Sequence, residues 1–141
     1  MIIKISEKKQ KIFYTSPDQI AEIMKTILKR ESEFDRSREH FWGVYLNARN
    51  QIQRIELLFL GTLNANLVHP REVFKAGLES NAAQIIICHN HPSGDTEPSE
   101  DDLMITKRIV EAGKIMGVEI IDHLIIAEKE KYFSFKNKGL I

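Results

Sequence analysis

Residues 82–91, AAQIIICHNH, contain three consecutive isoleucines, Ile85, Ile86 and Ile87, and read as a buried strand that runs straight into a pair of histidines. A buried strand needs neighbours and cover, and the rest of the chain supplies both. After Ser16-Pro17-Asp18, the stretch QIAEIMKTILKR places Ile20, Ile23, Met24, Ile27 and Leu28 at helical spacing on one face. Ser16 before Pro17 fits an N-cap followed by proline at the first helical position. EHFWGVYLN and QIQRIELLFLGT, separated by Ala48-Arg49-Asn50, predict a β-hairpin. PREVFKAGLESN predicts a helix with Pro70 near its start. LMITKRIVEAGKIMG predicts an amphipathic helix with Leu103, Ile105, Ile109, Val110 and Ile115 or Met116 as its apolar set, closed by Gly117. VEIIDHLIIAE reads as a strand and KYFSF as a short last one. The polar stretch ESEFDRSR reads as a loop. Residues 1–16 read as an arm or edge strand set apart from a domain over 17–141. The order is α, β, β, α, β, α, β, β, which predicts an α/β fold: a mixed sheet flanked by helices in a single domain.

At 141 residues the chain is long enough to bury a core as one domain without staples. Hydrophobic residues make up 43% and charged residues 28%, ordinary values for a globular protein. No apolar run is long enough to span a bilayer or opens the chain as a secretion signal, so no membrane role is expected. The single cysteine, Cys88, excludes an intrachain disulfide and suits a cytoplasmic protein. Twenty basic residues balance twenty acidic ones, which gives no basis for strong nonspecific binding to nucleic acid. Exposed strand edges leave a homo-oligomer open.

The polar stretch HNHPSGDTEPSEDD follows the isoleucines. If the strand continues through His89 and His91, both imidazoles leave one face and can meet one metal ion. Cys88 and Asn90 point the other way, and Cys88 is better read as a small buried hydrophobe. Asp95, Glu97, Glu100, Asp101 and Asp102 are the acidic choices for a further ligand. With Ser99 as N-cap, Asp102 lies in the first turn of the next helix, where its carboxylate can turn back toward the strand end. Two histidines and one carboxylate would leave a fourth position for water, the arrangement of a catalytic zinc rather than a closed structural one. Ser-x-x-Asp is also a capping-box pattern, and alone would more often be only a cap.

His89-x-His91, seven residues, Ser99, two residues and Asp102 resemble the JAMM motif of JAB/MPN-domain metalloproteases. The fuller string HNHPSGD…PS..D, with GTLNANLVHPREVFKAGL before it and IIDHLIIAEKEKYFSFKNKGLI after it, resembles the RadC-like branch of that group over roughly residues 17–141. One departure, Thr96-Glu97 where the family commonly has Pro-Thr, touches no motif position. Longer RadC-like proteins carry an N-terminal helix-hairpin-helix region, for which this sequence has no room, so the DNA contacts that region suggests are not carried over. The resemblance implies a fold similar to cytidine deaminases, and zinc held by His89, His91 and Asp102. It implies a zinc-dependent hydrolase acting on an amide bond of a peptide or protein substrate, with Ser99 hydrogen-bonding the oxyanion. It also implies a glutamate base from an earlier strand. Spacing alone does not choose among Glu39, Glu56, Glu72 and Glu79, but the family's glutamate opens the strand after the first helix, the place of Glu39. The alternatives are a non-catalytic MPN interaction module and a DNA-processing protein.

The remaining polar candidates read as structural. His123, in IIDHLII, reads as a satisfied core histidine. Asp122 points the opposite way, with at most a supporting role. His40 should face away from Glu39, His69 reads as a loop residue, and Trp42 as core.

Overall fold

The computed structural model describes residues 11–64, 67–129 and 131–141, together with the backbone of 2–4. The strands are β1 (Ile2–Lys4), β2 (Glu39–Leu46), β3 (Ile52–Gly61), β4 (Gln84–Asn90), β5 (Glu119–Ile126) and β6 (Phe133–Ser134). They form one sheet in the order β1-β3-β2-β4-β5-β6. The β4–β5 pair is parallel and every other pair antiparallel, so the sheet is mixed as predicted. The helices are α1 (Pro17–Lys29), α2 (Glu33–Arg36), α3 (Pro70–Glu79) and α4 (Glu100–Met116).

Alternation along the central strands builds a core on each side of the sheet. Trp42, Val44, Leu46, Ile86, Cys88, Leu124 and Ile126 pack with Ile20, Met24, Ile27 and Leu28 of α1. Phe41, Tyr45, Ile85, Ile87 and Ile120 face the other way, toward Val73 and Phe74 of α3 and Ile105 and Ile109 of α4. Trp42 and Cys88 are buried hydrophobes, in keeping with their sequence reading. The Tyr45 hydroxyl donates to the Val73 carbonyl oxygen at 2.8 Å and ties β2 to α3.

The first segment contributes β1, an edge strand antiparallel to β3; residues 5–10 lie outside the described residues. Farther along, Phe13 bridges to Gln51 beside the hairpin. In ESEFDRSR, read above as loop, the chain instead makes the single turn α2, because the Ser32 hydroxyl caps it by accepting the Asp35 N–H at 3.1 Å.

The buried face of α4 also differs from the expected apolar set. It consists of Asp102, Ile105, Thr106, Ile109 and Gly113, while Leu103 and Val110 are half-buried and Ile115 is 87% exposed. Met116 is exposed as well. The stripe that meets the sheet thus carries two polar residues and a glycine, which a search for apolar periodicity passes over.

Gly113 is there because the chain turns back on itself. Gly117, in the left-handed conformation (φ 72°), ends the helix, and Val118 N–H then donates to the Gly113 carbonyl oxygen. A β-carbon at 113 would stand 2.5 Å from the Val118 carbonyl oxygen, which is backbone and cannot swing aside. The Gly113→Ala variant is therefore expected to lose about 1–3 kcal/mol despite the better helix propensity of alanine, read as a lower midpoint in urea unfolding.

The β4–β5 pairing carries one further irregularity. Ile85 pairs with Ile120 but Ile86 pairs with Asp122, so Ile121 is an extra residue in β5. The bulge shifts the alternation by one, and residues 123 and 125, rather than 122 and 124, face α4.

Candidate metal centre

The end of β4 and the start of α4 meet on the α4 side of the sheet. His89 is the penultimate residue of β4. His91 lies one residue past the strand, but its N–H still bonds the Ile126 carbonyl oxygen at 2.9 Å, so it keeps the line of the strand and the face of His89. A turn follows in which Gly94 N–H bonds the His91 carbonyl oxygen, with Gly94 at φ 90°, a conformation that glycine adopts without strain. Ser99 then caps α4, accepting the Asp102 N–H, while the Asp102 carboxylate accepts the Ser99 N–H at 2.8 Å. This is a complete capping box. The same carboxylate reaches the histidines: Oδ1 is 3.1 Å from His89 Nε2 and Oδ2 is 3.0 Å from His91 Nε2. Cap and candidate ligand, weighed against each other in the sequence, are one side chain here.

The two Nε2 atoms stand 2.9 Å apart, and donor atoms of His89, His91 and Asp102 all lie within 4.8 Å of one another. Among the described residues these three are the group that can hold a metal ion. The donor chemistry fits a cation. His91 Nδ1 faces the Asp95 carbonyl oxygen at 2.7 Å, and since a carbonyl only accepts, Nδ1 carries a proton. That leaves the neutral ring's lone pair on Nε2, pointed at another ring nitrogen and a carboxylate. Such a set of inward acceptors is satisfied by a cation at its centre or by a proton on an imidazole. Cys88 faces the α1 side, and burial pushes its thiol pKa up, so it is not part of the group.

Electrostatics divides the three. Burial alone would raise the pKa of Asp102, but the adjoining His89 and His91, which can each take up a proton facing it, and the Ser99 N–H overcome burial and hold the carboxyl well below its usual range. For His89, fully buried, burial prevails and lowers the pKa despite Asp102. For the more open His91, burial also works downward, but the hydrogen bonds to Asp102 and the Asp95 carbonyl outweigh it and raise the pKa. Asp95 thus contributes through its backbone, while its carboxylate accepts Glu97 N–H within the turn.

Glu39 is the first residue of β2. The β2–β4 register pairs Phe41 with His89, and continued by two residues it sets Glu39 across from His91 on the same face. The Glu39 carboxylate accepts the Leu63 N–H. Glu39, His91 and Ser99 line one cleft of about 320 Å³. Glu56 and Glu79 are instead paired with Arg54, and Glu72 is exposed in the first turn of α3. On the other flank of His91 a second cleft of about 230 Å³ is lined by Lys25, Lys29, Arg36 and Lys129, with Glu128 as its one acidic residue.

Two residues gain roles that the sequence reading did not give them. Asn90, on the far face, accepts His40 N–H at 2.6 Å and donates to the Arg38 carbonyl oxygen at 3.0 Å, clamping the backbone on both sides of Glu39. His40 itself turns away from the cleft and stacks on Trp42. The sign available beforehand was the central residue of His-Asn-His, a buried side chain with polar atoms to satisfy.

The second is His123. It is fully buried and satisfied, but its partners are not generic core atoms: Nε2 is 2.7 Å from His89 Nδ1 and Nδ1 is 2.5 Å from Thr106 Oγ1. Burial, with His89 beside it, holds its pKa well below the ordinary imidazole value. Asp122 points away, as expected, and accepts from Ser134 Oγ, Lys136 N–H and His123 N–H.

Comparison with known proteins agrees with this geometry. The family model described as RadC-like JAB domain matches residues 14–140. A UPF0758 protein of Geobacillus sp. (strain WCH70) is 51% identical over 105 residues, covering 74% of this chain and 46% of its own length. A UPF0758 protein of Methanosarcina mazei is 41% identical over 137 residues, 97% of this chain and 56% of its own. One of Listeria welshimeri is 52% identical over 101 residues, 72% of this chain and 45% of its own. The chain spans about half the length of the curated relatives it matches. With the histidine-rich strand end, the capped helix and the match over nearly its whole length, the chain belongs to the RadC-like JAB domain family.

Proposed function

We propose that the protein is a zinc-dependent hydrolase, a JAMM-type metallopeptidase or isopeptidase that cleaves an amide bond with an activated water. The observation that carries this reading is the convergence of His89, His91 and Asp102 beside a cleft that Glu39 and Ser99 also line. His89, His91 and Asp102 would hold the ion; two imidazoles and one carboxylate next to an open cleft suit a zinc with a free position for water. A zinc held there would supply a Lewis acid and would bring the pKa of a bound water toward ~7. Glu39 takes the proton of the attacking water and passes it to the leaving nitrogen. The Ser99 hydroxyl already accepts the Asp102 N–H, and its own proton is available to donate to the amide oxygen as that oxygen gains charge. The cationic cleft on the other flank of His91 suits a substrate with an acidic group near the scissile bond. No helix among the described residues is long and apolar enough to cross a membrane.

In zinc titrations of the purified chain, the cation at ~100 times its Kd is expected to stabilise the fold by ~2.7 kcal/mol, seen as a rise in Tm. His89→Ala is expected to abolish that rise. The affinity should weaken as pH falls through the raised pKa of His91, because the proton then competes with the metal for Nε2.

In a peptide and isopeptide cleavage screen, Glu39→Gln is expected to keep zinc and lose turnover, and a Glu39→Gln variant as active as the parent removes Glu39 from the base role. Ser99→Ala is expected to lower kcat ~100–1000-fold. A zinc-loaded parent that cleaves nothing in that screen points instead to a non-catalytic binding module.

A further inference from the structure

The hydrogen bonds behind His89 can be assigned by counting protons. Thr106 Oγ1 has one proton and two close neighbours, the Asp102 carbonyl oxygen at 2.7 Å and His123 Nδ1 at 2.5 Å. A carbonyl cannot donate, so the hydroxyl proton goes to it. With the hydroxyl proton on that carbonyl, the contact between Thr106 and His123 takes its proton from His123 Nδ1. A neutral imidazole protonated at Nδ1 keeps its lone pair on Nε2, and that lone pair faces His89 Nδ1 at 2.7 Å. His89 must then donate from Nδ1, which leaves its own lone pair on Nε2, between Asp102 Oδ1 and His91 Nε2. The opposite placement, a proton on His123 Nε2, would force the His89 proton onto Nε2 and turn a ligand into a donor.

We propose that Thr106 and His123 form a proton-ordered relay that locks His89 in the tautomer presenting Nε2 to a metal, with His123 as the positioning residue for that ligand. The fold holds the relay in one arrangement. The His123 ring stacks on Phe135 (centroids 4.5 Å apart, planes at 11°) and meets Phe41 edge-on at 5.8 Å, so it does not turn over. Asp122, on the other face, binds Ser134 Oγ and Lys136 N–H and so fastens the segment that carries Phe135. The extra residue Ile121 gives His123 rather than Asp122 the face toward α4. Thr106 is anchored to the carbonyl of Asp102, so the relay closes on two of the three donor residues through one helical turn. A ligating histidine ordinarily donates its second ring N–H to a carboxylate, carbonyl or water. Here the acceptor is another imidazole, whose proton order is dictated by a threonine.

The relay rests on reading the triad as a metal site, and the test separates the two. Zinc affinity of the full chain is measured by competition with a chromophoric chelator, with circular dichroism and Tm in chelator as the check on folding. His123→Phe keeps an aromatic ring in the stack and removes the acceptor, and is expected to weaken zinc binding ~10–100-fold. His123→Gln, whose Oε1 can accept from His89 Nδ1, is expected to recover most of that loss, which a merely space-filling role would not require. Thr106→Val preserves shape, removes the proton-ordering hydroxyl and is expected to weaken zinc binding in the same direction. In ¹⁵N-histidine spectra of the parent, with zinc or without it, His123 should carry its proton on Nδ1. Parent-like affinity in both His123→Phe and Thr106→Val, or a proton on His123 Nε2, overturns the relay. If His123→Phe fails to fold, Thr106→Val and the spectrum decide. A parent that takes up no zinc overturns the metal reading instead, and the metal-free spectrum still decides the proton order.

Discussion

The site depends on one carboxylate. Asp102 Oδ2 accepts the Ser99 N–H that closes the N-terminus of α4, and the same oxygen faces His91 while Oδ1 faces His89. An isolated buried carboxylate would be costly. This one is offset by a backbone donor, two imidazoles and the positive end of a 17-residue helix. Because its partners come from β4, the turn and α4, the strand end and the helix start cannot move independently. The catalytic geometry proposed above therefore inherits the rigidity of secondary structure, although His91 and Ser99 lie just outside the strand and the helix.

That dependence explains why the site was legible in the sequence where other features were not. His89 and His91 end an unmistakable strand, and Ser99 and Asp102 begin a helix with an unmistakable cap, so their placement needed only two periodicities and a turn. The hairpin and the faces of α1 followed from the same rules. The failures came where the packed face is not apolar. The sheet-facing stripe of α4 holds Asp102, Thr106 and Gly113, which supply a capping carboxylate, a hydrogen bond and a close backbone approach. The exposed Ile115 and Met116 look like core by composition and are not. The turn α2 escaped notice because a single capped turn has no period to detect.

His123 was legible as buried and polar but not as a neighbour of His89, and the reason is specific. Around the bulge, β5 is apolar on both sides, with Ile120 facing α4, Ile121, Leu124 and Ile126 in the α1-side core, and Ile125 packed with Phe133, Phe135 and Leu103. A strand buried on both faces has no polar side to fix its register. One inserted residue reverses which of Asp122 and His123 meets the helix without leaving a trace in the hydrophobic pattern. Only the pairing of Ile86 with Asp122 reveals it.

Asn90 carries the same logic across the sheet. Alternation sends the outer histidines of His-Asn-His to the α4 side and the middle residue to the other, where it cannot touch a metal. From there it binds the backbone on either side of Glu39, so the proposed base is set by the strand that bears the proposed ligands. Antiparallel pairing makes this arrangement economical. Phe41 opposite His89 fixes Glu39 opposite His91, and any slip of one residue between β2 and β4 would turn the carboxylate out of the cleft. A base distant in sequence thus needs no loop of its own to reach the centre; the register of two central strands, locked by one asparagine, delivers it.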